Sequence, residues 1–222
     1  MEERSLSVER TARYYLMGSP GPAVRRLWIV LHGYGQLAAP MLMRCAPLAA
    51  DDTLLAAPEA LSRFYLAAVA SPEQHGQARV GASWMTREAR ESEIADQIAY
   101  FDRLHAELLR ECGRAALETH VLGFSQGVAA AVRWAILGAT PPPIRLVCWA
   151  GNLPPEIWAD AARVRLAHTE LVLAAGDADP YIPPGELDRT VERARAQGLT
   201  TRAFSFAGGH ALTTDTLAAA LA

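Results

Sequence analysis

Apolar runs alternate with amphipathic stretches along nearly the whole chain, and this alternation limits the fold more than any other feature. RRLWIVLHG (25–33), TLLAAPEA (53–60), THVLGF (119–124), IRLVCWAG (144–151), TELVLAAGD (169–177) and TTRAFSFAGG (200–209) each read as a strand. Most carry few polar breaks, as strands covered on both faces do. Helical patterns lie between them, near 38–50 and at 88–112, 126–138 and 185–197, and ALTTDTLAAALA (211–222) reads as a last helix. In the longest, Ile94, Ile98, Phe101, Leu104, Leu108 and Leu109 recur at three- and four-residue steps until Gly113 stops the pattern. His105 is expected on the surface of that helix. The segment 61–85 reads as a short strand near 63–67 and a long loop. The alternation predicts an α/β fold, a mainly parallel central sheet with helices on both faces. No repeat or linker divides the chain, so residues 1–222 read as one α/β domain, long enough for a substantial core.

Composition removes several function classes. The net charge is −3 and the pI about 6.1, so no basic field invites nucleic acid or an anionic membrane. All 21 basic residues are arginine, which excludes a lysine Schiff base, a lysine general base and a Walker lysine. Cys45, Cys112 and Cys148 are far apart, show no CxxC spacing and are odd in number. They read as small buried apolar residues in a reducing cytoplasm rather than as a disulfide set. The N-terminus lacks the apolar core of a signal peptide, and no stretch is long and apolar enough for stable membrane insertion. No metal-ligand cluster appears, and no cofactor motif.

Sites in parallel α/β folds form at the carboxyl ends of strands. Four such loops carry unusual residues: LHGYGQ, GFSQG, AAGDADPYIP and FAGGH. Gly123-Phe124-Ser125-Gln126-Gly127 matches G-x-S-x-G between an expected strand and an expected helix, where such a turn lifts a serine hydroxyl clear of the sheet. The hydroxyl needs a base. Among six histidines, His120 begins a strand, His75 and His168 stand in connecting segments, and His32 is placed to orient its glycine turn. His210 follows Gly208-Gly209 at what reads as a mobile, exposed loop tip near the strand ends, and is the expected base. GDADP offers two acids to orient it. Asp179 is the choice, because Pro180 pushes it toward an extended backbone, with Asp177 in reserve as a turn residue. The amide of Gln126 and one from His32-Gly33-Tyr34-Gly35, that of Tyr34, are the expected oxyanion donors.

LHGYGQ, GASWMTRE, GFSQG, GDADPYIP and GGH, in this order and spacing, resemble the phospholipase/carboxylesterase family of α/β-hydrolases, which includes acyl-protein thioesterases. The resemblance runs from about residue 25 to the C-terminus. It implies the α/β-hydrolase fold, with Ser125 as nucleophile, His210 as base and Asp179, in D-P-x-[VI]-P, as its orienter. The match to Ser83-Trp84 implies that Trp84, with Met85, lies beside an acyl pocket. Without the resemblance Trp84 reads as a core residue, and Trp84, Met85, Met41, Leu42 and Met43 are apolar candidates either for that pocket or for the core. Val128 stands where the family commonly has a second glycine after the elbow. HGYGQLAAPM differs from the HGLGD of thioesterases and fits a bacterial carboxylesterase branch.

The expected activity is therefore hydrolysis of a small-molecule ester or thioester through an acyl-enzyme, without cofactor or metal. A homodimer is neither required nor excluded. The alternatives are a related hydrolase of a lactone or peptide bond, and a catalytically silent protein that keeps the fold to bind a ligand.

Overall fold

The computed structural model of the chain describes residues 1–2, 4–67 and 76–221. Residues 71–75 of the loop at 71–81, His75 among them, lie outside the described residues. Seven strands form the main sheet: β1 (Tyr14–Met17), β2 (Arg26–Leu31), β3 (Thr53–Pro58), β6 (Glu118–Phe124), β7 (Arg145–Trp149), β8 (Glu170–Gly176) and β9 (Thr201–Phe206), in the order β1-β3-β2-β6-β7-β8-β9. Only β1 runs antiparallel to its neighbour. Helices α1 (Ala38–Arg44), α2 (Arg90–Glu111), α3 (Gln126–Leu137), α4 (Asp160–Arg165), α5 (Glu186–Ala196) and α6 (Thr214–Leu221) complete the α/β architecture.

Strand β2 explains why the apolar runs are unbroken. Leu27, Ile29 and Leu31 face one cluster with Phe101, Leu104 and Leu108 of α2 and Val128 and Ala131 of α3. Trp28 and Val30 face the opposite cluster with Met41 and Leu42 of α1 and Leu217 and Ala220 of α6. Each fully buried Leu or Ile contributes about 1.5–3 kcal/mol, so neither face tolerates a polar residue without a partner.

Three expectations change. The short strand expected near 63–67 is β4 (Ser62–Tyr65), and the loop expected after it ends in a further strand, β5 (Val80–Ser83), which pairs with β4 as a second, antiparallel sheet. The helix expected at 38–50 ends at Arg44 and passes into a 3-10 turn at Ala46–Leu48, and Met41 and Leu42 are core while Met43 is exposed. His105 is buried, not on the surface of α2. It lies four residues after Phe101, on the helix face that packs inward. The Thr119 hydroxyl donates to the Leu117 carbonyl and is 3.0 Å from His105 Nε2, whose N–H it can accept.

His120 stacks on Trp28, with ring centroids 4.7 Å apart. Burial, then the nearby Arg145 and Arg26, push its pKa down from 6.5 to about 4. Burial also lowers the pKa of His32 and His105. The unfolded chain binds protons at these positions that the fold refuses. For His120 this contribution is therefore full above pH 6.5 and is lost as pH falls toward about 4. Urea midpoints should fall over that window. In His120→Phe, which keeps the ring stack and removes the titration, the fall should be shallower.

Candidate active site

Ser125 stands between the last residue of β6 and the first of α3, with φ 53° and ψ −116°. A non-glycine residue there stores about 1–3 kcal/mol of strain and persists only when its surroundings over-determine it. They do so here. Ser125 N–H donates to Trp149 O at 2.8 Å, and Ser125 O accepts from Val128 N–H at 3.0 Å. Both flanking glycines pack directly against backbone. A Cβ on Gly123 would lie 2.3 Å from Gly127 O, and one on Gly127 would lie 2.5 Å from Leu31 O. Gly127→Ala should therefore cost about 1–3 kcal/mol of stability through overpacking against backbone, read as a lower thermal midpoint.

His210 arrives from the loop after β9. Its Nε2 lies 2.9 Å from Ser125 Oγ, and its Nδ1 lies 2.8 Å from Asp179 Oδ2. The Asp179 side chain has no exposed surface, and its Oδ1 accepts the Tyr181 N–H at 2.9 Å. The histidine is not the exposed loop tip expected from sequence. It is partly buried, with Phe124 at 5.1 Å and the edge of Tyr181 at 4.7 Å between ring centroids. Asp177 serves the same loop differently: its Oδ1 accepts Gly208 N–H at 2.9 Å. Asp177 thus holds the chain that carries His210, while Asp179 touches the imidazole.

The other loop is built around His32. This ring is wholly buried. Its Nε2 accepts the Ala60 N–H at 3.1 Å, which leaves the proton on Nδ1 to donate to Gly33 O at 2.8 Å. Gly33 N–H donates to Gln36 Oε1, and Gly35 N–H to Ala82 O. Among the described residues, the amides of Tyr34 and Gln126 have no acceptor, while those of Gly33, Gly35 and Ser125 do. Two free donors beside one hydroxyl suit a carbonyl oxygen that gains charge.

Trp84 takes the core place that its residue type alone suggests. It is 3% exposed and packs in the core against His32 and Phe101. Its indole N–H donates to His32 O at 2.7 Å. It supports the first loop from behind and presents no open wall to an acyl chain. Met85 is half-buried, its sulfur 3.1 Å from Arg133 Nη1. Sequence reasoning overlooked the Gln126 side chain, Gln97 and Tyr181. The first occupies the variable place of G-x-S-x-G and the last that of D-P-x-[VI]-P, so a motif does not single out either. Among the described residues, no three metal-ligating side chains converge and no helix is long and apolar enough to cross a membrane. Cys45, Cys112 and Cys148 are free and buried, and burial pushes the Cys45 thiol up to about 12.

Neither a protein-family model nor any curated protein matches the chain. Solved structures do. Esterase PE8 is 20% identical, with a TM-score of 0.68, over 95% of this chain and 96% of its own. A phospholipase/carboxylesterase from Dyadobacter fermentans is 18% identical, with a TM-score of 0.64, over 95% and 94%. Acyl-protein thioesterase 2 of Zea mays is 19% identical, with a TM-score of 0.66, over 93% and 95%. The last two names are those of the family that the motifs resemble. With the parallel sheet, the strained turn at Ser125 and the loops at the strand ends, the likeness establishes that this chain has the α/β-hydrolase fold.

Proposed function

We propose that the protein is a serine hydrolase of carboxylic esters or thioesters with small to medium acyl groups, acting through a covalent acyl-enzyme. The observation that carries this reading is the unbroken hydrogen-bond chain from Ser125 Oγ through His210 to Asp179, at 2.9 and 2.8 Å, on a strained turn. His210 Nε2 takes the serine proton as Oγ attacks the carbonyl carbon. Asp179 fixes the tautomer and stabilises the imidazolium. The amides of Tyr34 and Gln126 receive the developing oxyanion. His210 returns the proton to the leaving alcohol or thiol, then activates the water that frees the acid.

The names of the similar structures, esterase, carboxylesterase and thioesterase, support the ester and thioester classes. We take residues 1–222 as one catalytic domain, and the three free, buried thiols favour the cytoplasm. The test is hydrolysis of p-nitrophenyl esters of increasing acyl length, with fluorophosphonate labelling of Ser125. Hydrolysis and labelling that both vanish in Ser125→Ala support the reading, and the preferred length sizes the pocket. A well-folded wild type that does neither would overturn it in favour of a binding role.

A further inference from the structure

We propose that residues 82–85 form a strap that sets the spacing between the two oxyanion amides, with the Trp84 indole and the Gln126 carboxamide as its pins. The inference rests on the reading of Ser125 as an activated nucleophile. The two amides come from distant parts of the chain. Tyr34 follows β2, and Gln126 begins α3. An oxyanion hole works only when both donors reach one oxygen position, and a displacement of about 1 Å can cost a hundredfold in rate.

The strap joins both sides at successive residues. Ala82 pairs with the first loop, accepting Gly35 N–H at 2.9 Å and donating to Gln36 O at 3.0 Å. The Trp84 indole N–H reaches His32 O, two residues before the Tyr34 amide, at 2.7 Å. On the other side, Gln126 Oε1 accepts Trp84 N–H at 3.0 Å, and Gln126 Nε2 donates to Met85 O at 2.8 Å and to Ser83 Oγ at 3.1 Å. All the bonds of this carboxamide therefore go to the strap. Its backbone amide, on the same residue, is the second donor.

The strap is itself anchored. Gln97 of α2, buried, donates to Trp84 O at 2.6 Å. Ser83 Oγ donates to Met85 O at 2.9 Å. Just beyond, Glu156 Oε1 accepts Arg133 Nε at 3.0 Å and Arg90 Nη2 at 2.7 Å, tying α3 to the start of α2. Few strap atoms face solvent, as Ala82, Ser83 and Trp84 are all buried. Trp84 and Gln126 thus act through the amides as positioning residues. Trp84 reaches no substrate, and Gln126 reaches it only through its backbone.

The test uses Trp84→Phe, which removes the indole N–H, and Gln126→Met, which keeps the side-chain length and leaves the backbone amide in place. Turnover of p-nitrophenyl butyrate is measured beside inhibition by an alkyl trifluoromethyl ketone, whose hemiketal on Ser125 puts an oxyanion into the hole. Each variant should lower kcat about tenfold and weaken the ketone by a like factor, with KM changed less than about twofold. The double variant should lose less than the product of the two, because both pins hold one segment. Variants of unchanged kcat overturn the strap, as does a rise in KM alone, which would make Trp84 a pocket wall. A wild type that neither turns over the ester nor labels with a fluorophosphonate overturns the reading of the site, and the strap with it.

Discussion

Ser125→Ala should lower kcat by about four to six orders of magnitude, equivalent to about 5–8 kcal/mol of transition-state stabilisation. The hydroxyl is the only atom removed. Without it, His210 Nε2 loses its partner at 2.9 Å, and no covalent intermediate can form. The amides of Tyr34 and Gln126 remain, so some polarisation of a bound carbonyl should survive above the uncatalysed rate. The fold should be nearly unaffected. The strained φ of 53° belongs to the backbone between Trp149 O and Val128 N, and alanine keeps the same Cβ. Matched thermal midpoints with a collapse in kcat would therefore isolate chemistry from folding. A variant that retains near-normal turnover while still folded sinks the assignment of Ser125.

The fold was legible where burial is two-sided. Leu27–Leu31 and Leu171–Ala175 have partners on both faces of the sheet, so composition alone marks them as strands. It was not legible at the edge. Tyr14–Met17 is half-buried along its whole length and only four residues long, so neither continuity nor alternation gives it away. Val80–Ser83 includes Gly81, which weakens any strand signal, and its pairing with Ser62–Tyr65 spans a long sequence separation. The helix Asp160–Arg165 is too short to show a period.

At the site, legibility followed chemistry rather than packing. Serine, histidine and aspartate at strand ends have few other reasons to sit in glycine-rich loops, and the fold brings Ser125, Asp179 and His210 into one chain of hydrogen bonds. What holds them was unreadable. Trp84 looks the same in sequence whether its ring walls a pocket or its indole N–H reaches His32 O across 52 residues. His105 shows the same limit in the core. Polarity argued for the surface, but Thr119, 14 residues on, satisfies its Nε2 inside the protein.

Asp179→Asn should lower kcat by about 10⁴, and the geometry says why the loss should be so large. The Oδ1 position must accept the Tyr181 N–H, now at 2.9 Å, so the carboxamide oxygen of asparagine belongs there. Its NH2 group then faces His210 Nδ1, where Oδ2 stands at 2.8 Å. Two N–H groups cannot share that contact. The imidazole must offer a lone pair at Nδ1 and carry its proton on Nε2, which leaves it unable to take the proton from Ser125. The backbone need not move, so substrate binding and KM should change little. Asp177→Asn makes the contrast. An amide oxygen can still accept Gly208 N–H there, and no imidazole depends on the other atom, so kcat should fall less than about tenfold. Measured side by side on one ester at neutral pH, a larger loss for Asp177→Asn would exchange the two roles. A large loss confined to Asp179→Asn places the orienting carboxylate on Asp179, the residue before Pro180.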